Sequence, residues 1–373
     1  MSAADLLYSD TEEALRDSVR RLLADRCPPD AVIGVYDQAP RDFAPVWKAL
    51  AVDLGVAGLL VPEELGGAGA TAREAAVVLE ELGRAVAPVP FLTSAVLATL
   101  ALLRAGDTDF VGELAEGDRT ATLVVPLSTE PGAAMTSVLA TAGGLTGAVS
   151  SVAGALEADL LIVPALGPHG VELHAVDRNA QGVTVTPVPS LDMTRPLADL
   201  TFGATPSSLV SAAAADAVTD ALRCGAALLS AEQFGVASWC FETTLAYVKD
   251  RRQFGRAIGS YQAIKHRLAD LWLEVGSACS AARYAADTWA RADDDADIAA
   301  AVAQSYCGEV AVHAAEECIQ LHGGIGMTWE YPAHLYLKRA KSSQLAFGTG
   351  YRHRARLAEL IDLPVAPAKT ARS

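Results

Sequence analysis

The hydrophobic period of this chain changes twice, and that change constrains its fold more than any other feature. Apolar residues recur at helical spacing in the first third, in short β-rich runs in the middle, and at helical spacing again afterwards. Short runs between Gly and Pro residues, without helices between them, indicate an antiparallel sandwich or barrel. We therefore predict an α+β fold: an N-terminal helical domain at 1–118, a middle antiparallel β domain at 119–207, a C-terminal four-helix bundle at 208–364 and a disordered tail at 365–373.

Local patterns place individual elements within these parts. Ser9 with Glu12, and Thr71 with Glu74, have the capping-box spacing that begins a helix. A further helix is predicted from Val46 to Leu54. The predicted strands are 122–125, 159–163, 171–176, 183–188 and 200–202. A strongly amphipathic helix is predicted from the apolar positions Leu268, Leu271, Trp272 and Val275.

The composition excludes several classes of protein. A net charge of -16 disfavours broad contact with nucleic acid or an anionic membrane, because phosphates would repel the surface. The six cysteines form no C-x-x-C pair and no zinc-site spacing, which favours a reducing compartment. The longest apolar region is interrupted by Asp216, Asp220 and Arg223, so no membrane span is expected. The first ten residues lack signal-peptide features, and we predict a cytoplasmic protein.

Two long segments of the C-terminal part carry a specific resemblance. Residues 247–266 read YVKDRRQFGRAIGSYQAIKH, and residues 320–332 read QLHGGIGMTWEYP. Upstream, 61–69 reads VPEELGGAG and 80–84 reads EELGR. Together with the helical, β and helical order, these segments resemble the acyl-CoA dehydrogenases over nearly the whole chain. The resemblance implies an acyl-CoA dehydrogenase-like fold that binds FAD and oxidises a CoA thioester.

The resemblance also implies the residues that would contact FAD. An arginine at the position of Arg251 reaches the pyrophosphate across a subunit interface in this family, and a planar guanidinium suits phosphate oxygens. Gly323 and Gly324 would let the backbone approach the cofactor, because no Cβ intervenes. His322, which lies within the second segment, is interpreted as a packed or capping residue. The cofactor-binding residues predicted in this way are Arg251, Phe254, Gln262, Gln320, Gly323, Gly324 and Thr349.

The middle domain matches the family less closely. Family members carry a T-E-P-G-type segment beside the flavin ring, and 128–132 of this chain reads STEPG. The following strand usually supplies an aromatic residue, whereas 148–152 reads AVSSV and contains none. The basic residues near the C-terminus are interpreted as solvated helix charges or inter-subunit pairs: Lys338, Arg339, Lys341, Arg352, Arg354 and Arg356.

The catalytic base of the family is absent from both of its usual positions. Removing the α-proton of a thioester requires a carboxylate beside it. In the family this glutamate precedes a Gly-Thr pair, where this chain has Phe347. In other members it lies 22 residues before the tyrosine matching Tyr247, where this chain has Gly225. Glu232, seven residues further on, is the remaining candidate, although an ordinary helix carboxylate is the simpler interpretation.

Three functions remain open from the sequence. The favoured one is a base-lacking subunit that pairs with a glutamate-bearing paralogue in an α2β2 acyl-CoA dehydrogenase, as certain actinobacterial enzymes for steroid side-chain CoA esters do. The second is an active homo-oligomer that uses Glu232. The third is another use of the fold, as a flavin monooxygenase, a scaffold or a binding protein. The expected partners are an acyl-CoA substrate and an electron-accepting flavoprotein.

Overall fold

The computed structural model describes residues 6–37, 42–133 and 136–364, so the predicted tail at 365–373 lies outside the described residues. The N-terminal part is helical, as predicted. Its α-helices are α1 (Asp10–Arg26), α2 (Pro29–Ile33), α3 (Ala44–Lys48), α4 (Ala72–Ala85), α5 (Thr99–Arg104) and α6 (Asp109–Ala115). π-Helical turns occupy Ala49–Asp53 and Phe91–Ala98, and 3₁₀ turns occupy Gly34–Tyr36, Val56–Gly58 and Glu63–Leu65.

Both predicted capping boxes are confirmed. The amide of Glu12 donates to Ser9 Oγ over 3.3 Å, and the amide of Ser9 donates to Glu12 Oε2 over 2.6 Å. Thr71 and Glu74 make the same exchange at the start of α4. The helix predicted from Val46 to Leu54 exists as α3 continued by a π-helical turn. These helix starts were predictable because their hydrogen bonds are made within four residues.

The middle part is one eight-stranded sheet within the described residues. Its strands are β1 (Ala121–Leu123), β2 (Val138–Thr141), β3 (Gly144–Ala153), β4 (Leu160–Gly167), β5 (Gly170–Asp177), β6 (Val183–Val188), β7 (Leu197–Thr205) and β8 (Ser208–Ser211). The strand order is β6-β7-β3-β2-β4-β5-β8, with β1 beside β4. Most pairs are antiparallel, as predicted, but β4 pairs in parallel with both β1 and β2.

The C-terminal part is helical, although its first helix begins later than expected. The helical period was predicted to return at 208, but 208–211 pair with β5 as strand β8. The elements after it are α7 (Ala215–Asp250), β9 (Arg252–Gln253), β10 (Arg256–Ala257), a 3₁₀ turn (Ile258–Ser260), α8 (Gln262–Ala290), α9 (Ala296–His322), a 3₁₀ turn (Gly323–Met327), α10 (Ala333–Leu345) and α11 (Gly350–Leu360). The predicted order of helical, β and helical parts is therefore confirmed.

The apolar stripe predicted for α8 is only partly buried. Leu268, Leu271 and Val275 lie in the core, whereas Trp272 is 62% exposed and Leu273 is 60% exposed. Successive helix residues are turned by about 100°, so Trp272 and Leu273 point away from the face that Leu271 presents to the bundle. The prediction that Trp272 belongs to the buried face is wrong for the single chain.

Two glycines let α4 and α7 cross with their backbones in contact. A Cβ placed on Gly83 would lie 2.1 Å from the carbonyl oxygen of Glu232, and one on Gly235 would lie 2.0 Å from that of Glu80. Both contacts involve main-chain oxygen atoms, which cannot rotate away as a side chain can. This crossing fixes the N-terminal helical part against the C-terminal bundle.

We expect Gly235→Ala to destabilise the protein by about 3 kcal/mol, because the added methyl group forces the two helices apart. The urea concentration at the unfolding midpoint measures the effect. Gly276→Ala is the matched control, since a Cβ at Gly276 on α8 meets no described atom within 4 Å. Alanine has a higher helix propensity than glycine, so the Gly276→Ala variant should be as stable as the unchanged protein or more stable by up to about 1 kcal/mol. Equal midpoints for the two variants would contradict the backbone crossing.

The remaining general features concern membranes and cysteines. Across the described ranges, every helix is too short or too polar to span a lipid bilayer. Of the six cysteines, all but Cys279 are buried.

Candidate functional site

Phe347, which stands where the resemblance led us to expect the base, lies in the interior between the middle and C-terminal parts. Its side chain is 1% exposed, and its amide donates to the carbonyl oxygen of Leu127 over 2.9 Å. Gly348 follows with φ 99°, and a Cβ there would lie 2.7 Å from Glu130 Cγ. The Phe347–Gly348 turn is therefore pressed against the STEPG segment at 128–132, the part of the middle domain that resembles the family's T-E-P-G-type segment.

Phe347 and Gly225, the two positions at which the resemblance led us to expect the base, face each other in this structure. A Cβ built on Gly225 of α7 would lie 3.2 Å from Phe347 Cζ and 2.5 Å from Leu97 Cδ2. The ring of Phe347 and the side chain of Leu97 therefore occupy the space that a longer side chain at Gly225 would need. The point where the two positions meet is filled by hydrocarbon.

A cleft of about 420 Å³ opens beside Phe347. Its walls come from the 128–132 segment, α7, the start of α9 and α11. The lining residues are Glu130, Pro131, Gly132, Ala133, Arg223, Ala226, Asp297, Ala300, Ala301, Phe347, Arg352, His353, Arg356, Glu359 and Leu360. We call this the Phe347 cleft.

The charged side chains of the Phe347 cleft pair with one another. Arg352 lies 3.4 Å from the carboxylate of Glu130, Arg223 lies 3.6 Å from Asp297, and Arg356 lies 3.1 Å from Glu359. All six of these side chains are partly or largely exposed to solvent. The carboxylates at the mouth are therefore engaged with arginines, and the floor beside Phe347 is apolar.

His353 is a buried polar residue of this cleft that the sequence analysis did not identify. It stands in the first turn of α11, is 7% exposed, and its Nε2 atom has no hydrogen-bond partner in the described chain. Burial lowers the pKa of its imidazole, which therefore stays neutral near pH 7. Nε2 lies 3.6 Å from the position of a Cβ on Gly348, against the backbone. His353 follows the predicted cofactor residue Thr349 by four residues, which is one helical turn, and this spacing is the sequence signal that could have identified it.

Three predicted cofactor residues lie together at one end of the helical bundle. Arg251 follows α7 and is exposed, and Gln262 begins α8 and is exposed. Phe254 stands at the tip of the β9–β10 hairpin with φ 50° and is 91% exposed.

The glycine segment of the second signature reaches the same end. The ring of Tyr247 stacks on His322 at 4.2 Å between centroids, which joins the end of α7 to the end of α9. Gly323 has φ 64°, and a Cβ on Gly323 or Gly324 would meet no described atom within 4 Å. Gln320 is exposed one turn earlier. His322 itself is buried, and its Nε2 lies 2.6 Å from the Tyr331 hydroxyl.

Thr349 lies elsewhere, beside the Phe347 cleft. The next residue, Gly350, packs against α9 at the Ser305 carbonyl oxygen, which lies 3.3 Å from the position of its Cβ. Eighteen residues separate Ser305 from Gly323, or about 27 Å along a helix at 1.5 Å per residue. The predicted cofactor residues therefore form two groups in one chain, one at the hairpin end and one beside Phe347.

The remaining candidate base, Glu232, is buried in an ion-pair cluster. It is 2% exposed, with Oε2 2.5 Å from Arg195 Nη2 and Oε1 3.2 Å from Arg339 Nη1. Ser343 Oγ also donates to Oε1 over 3.3 Å. Burial raises the pKa of the Glu232 carboxyl, but Arg195 and Arg339 lower it more, so it falls below its ordinary value. Both carboxylate oxygens are thus engaged by cations.

Arg339 is the centre of that cluster, which corrects the interpretation of it as a solvated or inter-subunit charge. It is 2% exposed, and its Nε donates to Asp192 Oδ2 over 2.9 Å. Its Nη2 donates to the carbonyl oxygen of Thr194 over 2.9 Å and to the Thr194 hydroxyl over 2.6 Å. The two arginines and two carboxylates balance in charge, and they connect the segment between β6 and β7 to α7 and α10.

Comparison with known proteins agrees with this architecture. The profile of the acyl-CoA dehydrogenase N-terminal domain matches residues 9–110, and that of the C-terminal domain matches residues 215–361. The chain belongs to the acyl-CoA dehydrogenase family. A similar relative is acyl-CoA dehydrogenase IpdE2 of Mycolicibacterium smegmatis, 36% identical over 340 residues, which cover 91% of this chain and 95% of that protein.

Two similar solved structures of this family are heteromeric complexes. The ChsE4-ChsE5 complex from Mycobacterium tuberculosis superposes with a TM-score of 0.85 at 28% identity, covering 97% of this chain and 100% of that chain. A variant of the Tcur3481-Tcur3483 steroid acyl-CoA dehydrogenase gives a TM-score of 0.83 at 29% identity, covering 95% and 98%.

Proposed function

We propose that this chain is the base-lacking subunit of a heteromeric, FAD-dependent acyl-CoA dehydrogenase, paired with a glutamate-bearing paralogue. The observation that carries the proposal is the contact between Phe347 and Gly225, because neither residue offers a proton acceptor. Leu97 closes the remaining space. Oxidation of a CoA thioester at its α and β carbons needs a carboxylate at that point, and the paralogue would supply it in its own cleft.

The other acidic and basic groups near Phe347 are poorly placed to replace the base. Glu130 is paired with Arg352, and His353 Nε2 lies against the backbone of Gly348, closed off from solvent. Glu232, which an active homo-oligomer would have to use, has both oxygens bound to arginines. Proton abstraction by Glu232 would also require breaking buried ion pairs, and its lowered pKa makes it a weak base.

The two groups of predicted cofactor residues fit FAD only when they come from two subunits. FAD accepts the β-hydrogen as hydride when it is bound. Thr349 lies beside the Phe347 cleft, whereas Gly323, at the end of α9, is about 27 Å away along that helix, and Arg251 lies with Gly323 at the hairpin end. We infer that the exposed Arg251 guanidinium holds the pyrophosphate of the FAD bound by the neighbouring subunit, since it is always charged and binds phosphate bidentately.

The surface of the bundle supports association with another chain. Large apolar side chains are exposed at the hairpin, on α8 and in the 3₁₀ turn after α9, including Phe254, Trp272, Leu273 and Met327 at 60% exposure or more. Water-exposed aromatic and methionine side chains of this size are typical of subunit interfaces. The heteromeric assemblies of two similar structures support a paralogous partner, and the steroid acyl-CoA dehydrogenase among them makes steroid-derived CoA thioesters the substrate class to test first.

Purification of the chain alone and with a co-expressed glutamate-bearing paralogue tests the proposal. We expect stoichiometric flavin absorbance and thioester oxidation only in the co-purified complex, with an electron-accepting flavoprotein or an artificial acceptor as oxidant. A chain that purifies alone as a yellow, fully active oligomer would overturn the heteromer. Failure of every paralogue to restore flavin binding would overturn it as well.

Arg251→Ala in this chain should lower the FAD content of the complex. Loss of hydrogen bonds from a charged group costs about 1.5–3 kcal/mol, which corresponds to roughly 10- to 100-fold weaker FAD binding. Titration of the apo-complex with FAD, followed by flavin fluorescence, measures the dissociation constant. Arg252→Ala removes the same charge from the adjacent residue and is expected to leave FAD binding near that of the unchanged complex. Unaltered affinity for the Arg251 variant would contradict the cross-subunit contact.

A further inference from the structure

The β domain contains a serine, a histidine and a glutamate connected by hydrogen bonds, outside the site described above. Ser207 Oγ lies 3.0 Å from His174 Nδ1, and His174 Nε2 lies 3.0 Å from Glu172 Oε2. None of the three is among the described residues that line the Phe347 cleft. Nucleophile to base and base to orienting carboxylate are the two contacts that define a catalytic triad, whatever the fold that carries them.

The sheet brings these three residues together from two strands. Glu172 and His174 are two residues apart on β5, so their side chains lie on the same face. Ser207 precedes β8, which pairs with β5 so that His174 is opposite Leu209. Gly167 on β4 makes room for the carboxylate, because a Cβ there would lie 2.0 Å from Glu172 Oε1. The position of the Glu172 carboxylate thus depends on Gly167, which has no side chain.

The base and the carboxylate are largely buried, whereas the serine is exposed, as a nucleophile that must reach a substrate requires. The side chains of His174 and Glu172 are 10% and 12% exposed, whereas Ser207 is exposed. When the imidazole carries its proton on Nε2 and donates it to Glu172, Nδ1 is free to accept the Ser207 hydroxyl proton. In the serine proteases Nε2 faces the serine and Nδ1 faces the carboxylate, whereas here Nδ1 faces Ser207 and Nε2 faces Glu172.

A shallow cleft beside the imidazole offers a place for an apolar group. Its volume is about 610 Å³, and its lining residues are Leu139, Ala140, Thr141, Ala142, Leu166, Gly167, Pro168, Glu172 and His174. Leu139 and Leu166 are half exposed in it, at 50% and 47%. A short hydrocarbon chain would cover these leucines, and the cleft extends to His174, which contacts Ser207.

We propose that Ser207 is an acyl-accepting nucleophile that hydrolyses small carboxylic esters or thioesters, independently of the flavin site. Ser207 Oγ forms a bond to the carbonyl carbon, and its proton passes to His174 Nδ1. The tetrahedral adduct expels the alcohol or thiol, which takes that proton as it leaves. Water then attacks acyl-Ser207, His174 accepts its proton and returns it to Ser207, and a carboxylic acid is released. Glu172 is a positioning residue that holds the imidazole.

The test treats the purified chain, and the flavin-containing complex, with 4-nitrophenyl acetate and with a fluorophosphonate probe. We expect a burst of 4-nitrophenolate and one covalent adduct, mapped to Ser207 by peptide mass spectrometry. Ser207→Ala should lose both, while Ser208→Ala, the neighbouring exposed serine, should keep both. No adduct at Ser207, or equal burst and labelling in the Ser207→Ala variant, would overturn the proposal.

Two further variants separate chemistry from structure. His174→Gln should slow acylation by about 100-fold or more, which is the contribution of general base catalysis. Glu172→Gln should lower the acylation rate constant without changing the ester concentration at half-saturation, a split that a purely structural role would not produce. Gly167→Ala should act like Glu172→Gln, because its methyl group displaces the carboxylate. Unaltered acylation in the His174 variant at an unaltered melting temperature would remove His174 as the base.

Discussion

Replacing Arg339 by methionine is expected to destabilise the protein by about 3–5 kcal/mol, because it leaves the buried Asp192 carboxylate without its ion-pair partner. Asp192 loses its 2.9 Å contact, and Glu232 keeps Arg195 alone. The methionine fills much of the volume but donates no hydrogen bond to Thr194. Removing one partner from a buried ion cluster lowers the free energy of unfolding strongly, because the remaining charge stays buried without compensation. The loss of stability should therefore be larger than that caused by removing a charge at the surface.

The same variant should have a characteristic dependence on pH. In the unchanged protein the pKa of Glu232 is lowered, so its contribution to stability is present above the ordinary carboxyl pKa of about 4.3 and is lost as pH falls through the lower folded-state value. Without Arg339, one of the two cations that lower the pKa of Glu232 is lost, so that pKa rises relative to its value in the unchanged protein. Glu232 then takes up a proton at a higher pH in the variant, and the difference in stability between the two proteins should shrink as the pH falls from 8 to 5.

Urea denaturation monitored by circular dichroism at both pH values measures this difference. Arg354→Met is the matched control, since Arg354 pairs with Glu309 at the surface and both side chains are about half exposed. Exposed pairs contribute about 0–1 kcal/mol, so the control should shift the unfolding midpoint little. A control shift as large as that of the Arg339 variant, or a pH-independent penalty, would contradict the buried cluster.

The sequence predicted those parts of the fold that depend on neighbouring residues. The capping boxes at Ser9 and Thr71 were predictable because each exchange spans three residues. Strand β3 was recognised only in part, because its ten residues include two glycines, two alanines and two serines, whose β propensity is low. Strand β8 was taken for helix because four residues give no measurable period, and pairing with β5 decides their conformation.

In the candidate site, too, the sequence identified individual residues but not the contacts between them. Family resemblance identified Phe347 and Gly225 separately, but only the structure shows their contact, because 122 positions separate them along the chain. Glu232 was noticed as an acid, yet its partners Arg195 and Arg339 lie 37 and 107 positions away. Such pairings are set by the packing of the sheet against two helices, and no local period encodes them.

Proton removal supplied by the other subunit has the largest expected consequence for activity. The chain alone, supplied with excess FAD, should oxidise a CoA thioester at least about 10²–10⁴-fold more slowly than the complex, because it lacks the contribution of a positioned general base. Replacing the paralogue's glutamate by glutamine should reduce the complex to the same level. Phe347→Glu in this chain should not restore thioester oxidation to the complex that carries the paralogue's glutamine variant. Leu97 and the backbone of Gly225 would leave the new carboxylate buried in hydrocarbon.

The rate of α-proton exchange distinguishes loss of the base from loss of the cofactor. Incubation of the thioester in deuterated water, followed by mass spectrometry, reports proton abstraction without any electron acceptor. The complex should exchange the α-proton, and the complex with the paralogue's glutamine variant should not, although its flavin spectrum is unaltered. Phe347→Ala removes the ring without adding an acceptor and should leave exchange by the complex within about threefold, since proton transfer takes place at the other subunit's carboxylate. Exchange by the unmodified single chain at the rate of the complex would mean that another of its residues accepts the proton.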